Sequence, residues 1–505
     1  MPRIRLAALA LLAALACGEV AGAEALVRVS GATPFTACSV DEPSRQPGTV
    51  YPASEVEPRL TVNPRNPKNL VGAFQQDRWS NGGARGIVVA ASFDGGASWR
   101  QGVVPKLAKC SGGPHARTSD PWVSFAPNGD VYLAALSLAV DDREPRELHE
   151  FHAPLTDALP AADNAILVSK SMDGGLSWGD PVALIDEGAG PLNDKESVTA
   201  DPTDPSGRLV YVVWDRLESL TESATRGPVM FSRTTDGGVR WEQARAIYDP
   251  GANSSTVGAQ LVVLPSGALL VFFTEFSAVP GPGNSFRYRV YLSVVTSTDK
   301  GQTWGSARRA FAIGAPRVDD PDVPRSVRHG GALVDVAVDP RNGILYAVVT
   351  ARDAQDGTSI LLSTSTDAGA TWASGSSGRP FINRTPIAGV NGQAFTPTVQ
   401  VNARGTVGVT YYDFRANDAG PGTLTDYWLV RCEPVDPADC RLTDNWRREV
   451  RLTDSSFDLG EAPYAYGLFV GDYEGLAADG EDFLSFFSQG HGNDRASVFF
   501  RRVPP

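Results

Sequence analysis

The chain has 505 residues, 42% of them hydrophobic and 20% charged, with 51 Gly and only 3 Met. A sequence this apolar buries a core, so disorder is excluded as its overall state. A formal charge of −13 argues against a nucleic-acid or anionic-membrane partner held by bulk charge.

Residues 1–23 read as a secretory leader: Arg3 and Arg5, an apolar run from Leu6 to Ala16, then Ala21-Gly22-Ala23 as a small-x-small cleavage site. Removing its two Arg and one Glu moves the charge from −13 to −14. No other stretch approaches the roughly 18 apolar residues of a membrane helix. The expectation is an exported monomer, secreted or periplasmic, with no membrane span. Cys17 leaves with the leader, and the four remaining Cys can pair in three ways. Cys432 and Cys440 are spaced to close a local hairpin, which leaves Cys38 for Cys110; both bridges suit an oxidising compartment.

Residues 24–50 form an N-terminal segment, and 51–505 are expected to be one repetitive domain. One motif returns five times along it: Ser92 to Trp99, Ser171 to Trp178, Thr234 to Trp241, Ser297 to Trp304 and Ser365 to Trp372. Its pattern is [ST]-x-D-x-G-x-[STR]-W, and each copy follows a strand-like run such as Gly86 to Ala91. Each copy predicts a hairpin turn in which Asp accepts from turn amides, Gly supplies positive φ and Trp packs between sheets. A second set of turns, from Asn63-Pro64 to Ala478-Asp479-Gly480, marks seven further hairpins. The aspartates Asp94, Asp173, Asp236, Asp299 and Asp367 are spaced by about 68 residues on average, which gives about seven units for the mature chain.

The five motifs are Asp-boxes, and the chain resembles the sialidase-like Asp-box (BNR) repeat β-propellers. That resemblance implies an all-β fold of four-stranded antiparallel blades. Seven blades are preferred from the spacing; six, the number in known sialidases, is the alternative. The sixth unit replaces its Asp-box by Cys432 to Cys440. The seventh is short of an outer strand, which Ala25 to Ser30 is expected to supply, closing the ring.

Function is expected on the face away from the Asp-boxes, walled by the segments Leu138 to Asn164, Thr274 to Tyr288 and Ile313 to Gly330. Ends of second strands carry paired charges, Asp77-Arg78, Asp215-Arg216, Arg352-Asp353 and Asp413 with Arg415. Starts of inner strands carry acids: Glu57, Asp120, Asp194 to Glu196, Asp335 and Asp472 to Glu474. Such acids could ring a structural Ca²⁺; no other cofactor is expected, and five His make a three-His zinc site unlikely.

The resemblance extends to individual residues. Pro58-Arg59-Leu60 stands where the family has its F/Y-R-I-P motif, without the aromatic residue and the second proline. Ala73 to Arg78 is similar to the following A-F-A-E-x-R segment. The acid/base position falls to Asp77, because Trp79 to Gly86 contains no Asp. Phe469 to Leu476 is similar to the late segment that bears the family's nucleophilic Tyr. The resemblance therefore implies Tyr473 as nucleophile, Glu196 as the carboxylate that deprotonates it and Asp77 as acid/base. Arg59, Arg78 and Arg415 become substrate contacts. A tyrosine suits an acidic sugar, whose carboxylate repels an anionic Asp or Glu nucleophile. The expected activity is a glycoside hydrolase acting on a glycan or acidic sugar; the alternative is a propeller that binds glycan or protein without catalysis.

Overall fold

The computed structural model describes residues 23–140, 163–188, 190–221, 224–282, 286–314, 316–352, 357–373, 382, 392–417, 422–436 and 438–505. The leader, most of the segment from Leu138 to Asn164, and Asp353 lie outside the described residues. Among those described, no helix is long and apolar enough to cross a membrane.

The protein is all-β, built from four-stranded antiparallel sheets. In the first unit, Glu55–Val62 pairs with Leu70–Arg78, which pairs with Ala84–Ser92, and Arg100–Val103 lies outermost. The arrangement recurs from inner strands Arg117–Phe125, Leu192–Ala200, Ser255–Val263, Asp335–Val338, Ala394–Val401 and Gly475–Asp479. These seven described inner strands touch in succession, and the last also touches the first. The third strands lie between neighbouring sheets and read as apolar runs rather than alternations; every residue of Ala84–Ser92 is buried.

Register fixes which end is which. Val62 lies opposite Leu70 and Leu70 opposite Ser92, so the first hairpin and the Asp-box share one end. Glu55, Gln76 and Gly86 face one another at the other end. The same register places all five Asp-boxes, and Cys432, on one face.

Each Asp-box is a closed hydrogen-bond ring. Asp94 accepts from the Ser92 and Ser98 hydroxyls at 2.8 and 2.5 Å and from the Ser98 amide at 2.9 Å. Those donors pull its carboxyl down to about 2. Gly96, at φ 102°, needs both its conformation and its bareness: an added Cβ would lie 2.1 Å from the Phe500 ring. Trp99 packs on Phe486 and Phe500 of the seventh unit at 5.6 and 5.3 Å. Trp304 packs on Phe231 and Trp372 on Phe272 in the same way. Burial of such rings supplies roughly 1.5 to 3 kcal/mol each.

Val27–Arg28 pairs with Phe500 and Phe499 and completes the seventh sheet. Cys38 is bonded to Cys110 and Cys432 to Cys440.

Two connections on the face opposite the Asp-boxes depart from the loops expected there. Leu269–Pro280 stays paired with Phe286–Ser297 out to Pro280 and Phe286, so residues 274–280 and 286–288 of the expected loop are paired strand. Within Ile313 to Gly330, Val318–Asp319 and Ser326–Arg328 pair, and the latter runs parallel to Leu468–Phe469. This small sheet joins the connection before the fifth inner strand to the one before the seventh, and it caps the channel.

Candidate functional site

Five inner strands carry the same bulge near their start. The register slips between Val56 and Arg59, Ser119 and Trp122, Asp194 and Ser197, Val257 and Gln260, and Phe395 and Thr398. The slipped residues Glu57, Asp120, Lys195, Gly258 and Thr396 have φ between 50° and 72°. Four of them are not glycine, and left-handed backbone costs such residues on the order of 1 to 2 kcal/mol each. The bulges concentrate these side chains at the capped end of the channel.

There the acids gather round an ammonium. Lys195 Nζ lies 2.5 Å from Asp120 Oδ1, 2.9 Å from Asp472 Oδ2 and 3.5 Å from Glu57 Oε1. Arg328, from the cap, holds both oxygens of Asp472, with Nε 2.9 Å from Oδ1. Burial opposes ionisation of Asp472, but Arg328 and Lys195 together hold its carboxyl well below the ordinary range. Glu57 goes the other way: burial outweighs Lys195 and raises it to about 7. The same oxygens would have to ligate a calcium ion, so these residues do not fit the expected Ca²⁺ ring; the fixed cation is Lys195.

Beneath this ring lies a pocket lined by Arg59, Trp122, Glu196, Asp335, His329 and Tyr473 among others. The Arg59 guanidinium sits 3.5 Å from the centre of the Trp122 ring and 4.6 Å from that of Tyr473. Its Nη2 is 3.7 Å from Asp335 Oδ1, and its Nε has no partner. Among the described residues, the Tyr473 hydroxyl reaches Pro121 O, at 3.4 Å. Burial, then Glu57 and Asp120, push its phenol well up. Glu196 is 1% exposed, and neither carboxylate oxygen meets a partner outside its own residue. Burial first and Asp120 second raise its carboxyl well above the ordinary range. The His329 imidazole is held neutral, lowered to about 4 by burial.

The structure therefore brings together Tyr473, Glu196 and Arg59. Arg78 lies beside them under the cap, 4.8 Å from the centre of Phe469, with Nη1 2.7 Å from Gln75 Oε1. Two expected site residues are elsewhere. Asp77 accepts from Thr33 Oγ1 at 2.8 Å and from the Ala53 amide at 2.9 Å, so it ties down the N-terminal segment. Arg415 is spent on Asp413 and Glu449, at 2.6 Å each, and covers Trp428. Tyr411 and Tyr412 are fully buried, with hydroxyls on Glu449 and Ser488 O. Lys195, Arg328, Trp122 and His329 were not singled out in the sequence. The one available signal was Lys195 inside an acidic strand start in a chain with few lysines.

Residues 160–410 match the BNR repeat-like domain family. Over those residues the chain carries BNR-type repeats, and its fold is a β-propeller. Solved structures similar to this propeller include a Hadza microbial sialidase, at 15% identity and TM-score 0.45, covering 86% of this chain and 73% of that one. A Penicillium chrysogenum α-L-arabinanase complexed with arabinobiose gives 14% and 0.46, covering 77% and 93%. A Dyadobacter fermentans protein of unknown function gives 16% and 0.44, covering 76% and 96%. No curated protein matches the chain.

Proposed function

We propose that this propeller is an exported glycoside hydrolase acting on an acidic glycan, with Tyr473 as nucleophile and Glu196 as its base. The observation that carries this reading is the Glu196 carboxylate, buried and unpartnered in the pocket that Tyr473 lines. Burial holds such a carboxyl protonated and makes it a strong base once ionised, and a perturbed acid in a cleft is a candidate for function. In the reaction, the Tyr473 oxygen bonds to the anomeric carbon as its proton passes to Glu196, and the glycosidic bond breaks with the leaving oxygen taking a proton from water; the hydroxide so formed then attacks the anomeric carbon, breaking its bond to Tyr473, and Glu196 returns the proton to the Tyr473 oxygen. Arg59 offers its free Nε edge to the substrate's negative charge.

The pocket holds about 40 Å³, room for two or three waters and far below the roughly 300 Å³ of a sugar-sized site. Catalysis therefore requires the pocket to open further. That small volume favours a second reading, a propeller that binds glycan at the cap without cleaving it.

The deciding experiment incubates the purified protein with mixed sialylated and uronic-acid-bearing glycans and measures released monosaccharides. Release by the wild type and none by Glu196→Gln supports hydrolysis. Binding with no release supports the second reading, and neither binding nor release removes both.

A further inference from the structure

The cap strand Ser326–Arg328 meets the channel mouth through two backbone pairs, Val327 with Leu468 and Arg328 with Phe469. The Arg328 guanidinium lies 4.5 Å from the centre of the Phe469 ring and grips both oxygens of Asp472. Behind it run Gly330 and Gly331, at φ 74° and 47°. A Cβ on Gly330 would lie 2.2 Å from Asp472 O, so the chain crosses Asp472 closely, on residues free to turn.

Under this strand the acids outnumber the cations. Glu57 is faced by Arg78 from its own unit, Asp120 from the second, Lys195 from the third, Arg328 from the cap, and Asp472, Tyr473 and Glu474 from the seventh. Its Oε1 is 3.5 Å from Lys195 Nζ and accepts the Asp472 amide at 3.4 Å, and its Oε2 accepts from Gln75. Asp194 faces Lys195, Asp120, Arg328 and Asp472, with Glu196 on its own strand and Asp215 on the next. Glu57, Asp120, Asp194 and Asp472, with Glu196 a fifth, thus share three cations, Arg78, Lys195 and Arg328. Glu57, Asp120, Glu196 and Asp472 are all buried. With water excluded and like charges adjacent, the surplus acids keep protons: burial raises Glu57 to about 7 and Asp194 to about 6.

We propose that the cap is a pH-gated lid over the pocket, held closed by protons on the acids beneath it and opened by their release as pH rises. Lifting Ser326–Arg328 withdraws Arg328 from Asp472 and admits water, which returns Glu57 and Asp194 toward their ordinary 4.5 and 3.8. The closed form then holds protons that the open form has released, so closure weakens as pH rises from about 4 to about 7. Asp472 acts in the opposite sense, because Arg328 and Lys195 hold its carboxyl low. Its share of closure is present throughout that range and is lost only in stronger acid. The lid stands whether the pocket beneath it cleaves a glycan or binds one.

The test is hydrogen exchange of the full chain read by mass spectrometry, expressed as protection after correction for the intrinsic pH dependence of exchange. A peptide spanning residues 318–328 reports the cap, and one spanning the buried strand Ala84–Ser92 is the reference. From about pH 5 to about pH 7 the cap of the wild type should lose about tenfold or more in protection relative to the reference, since opening releases at least one proton over that range. Glu57→Gln, which has no proton to release, should lose most of that fall. Asp194→Asn should lose the part below about pH 6, and it keeps the proposal testable if Glu57→Gln does not fold. Cap protection that is the same at both pH values, or that falls equally in the wild type and the folded variants, would overturn the proposal.

Discussion

Lys195 and Asp472 meet at 2.9 Å across the channel, although 277 residues separate them in sequence. Lys195 sits on the third inner strand and Asp472 just before the seventh, so this pair and its neighbours Asp120 and Glu57 tie four units together at their axis. Lys195→Met would leave three buried acids with one cation fewer. Breaking a buried ion pair from one side costs about 3 to 5 kcal/mol. Chemical denaturation should show a loss of that order, and a loss under 1 kcal/mol would mean that the acids find other partners.

Tyr473→Phe removes a hydroxyl whose one acceptor is 3.4 Å away. Stability should fall by no more than about 1 kcal/mol, while turnover on any cleaved glycan should fall by orders of magnitude. Retained turnover with a lowered melting temperature would make Tyr473 a packing residue and favour the binding reading.

Arg415→Gln should do the reverse. Its guanidinium is committed to Asp413 and Glu449, so the variant should lose about 3 kcal/mol of stability and keep the wild-type KM. A raised KM with unchanged stability would return Arg415 to the substrate.

Asp215 gives the pH dependence a definite sign. Burial raises its folded carboxyl to about 7 from an ordinary 3.8. Between those values the folded state holds a proton that the unfolded state has released. Its contribution is therefore intact below about pH 4, declines as pH rises to about 7 and is level beyond. Asp215→Asn keeps an acceptor for the Ala259 amide, now 2.9 Å from Oδ2. In denaturation at pH 4, 6 and 8 the variant should gain on the wild type as pH rises; a constant difference would refute the assignment.

The repeat was legible because Asp-boxes are local: Asp94 to Ser98 closes its own hydrogen bonds within five residues. The pairing of Cys432 with Cys440 was legible for the same reason. Arg59, Tyr473 and Glu196 could be expected on one face because inner strands start at repeating positions, and they line one pocket. Asp77 and Arg415 were misplaced because an acid beside an arginine at a strand end reads alike whether it faces a ligand or the neighbouring chain. Thr33 and Glu449, which decide the matter, lie 44 and 34 residues away. The cap was illegible for a stronger reason: Val327 pairs with Leu468, and nothing in either short segment specifies the other.

The outer strand Val27–Arg28 has a consequence for biosynthesis. Its partners Phe499 and Phe500 leave the ribosome long after it, and Arg28 waits for an acceptor, Asp494, made 466 residues later. The intermediate units can form as they emerge, but the ring stays open, with Phe486 and Phe500 absent from beside Trp99, until those residues have been made. The first unit thus stays without its neighbour, and every unit between them unclosed, until the two ends are locked into one sheet.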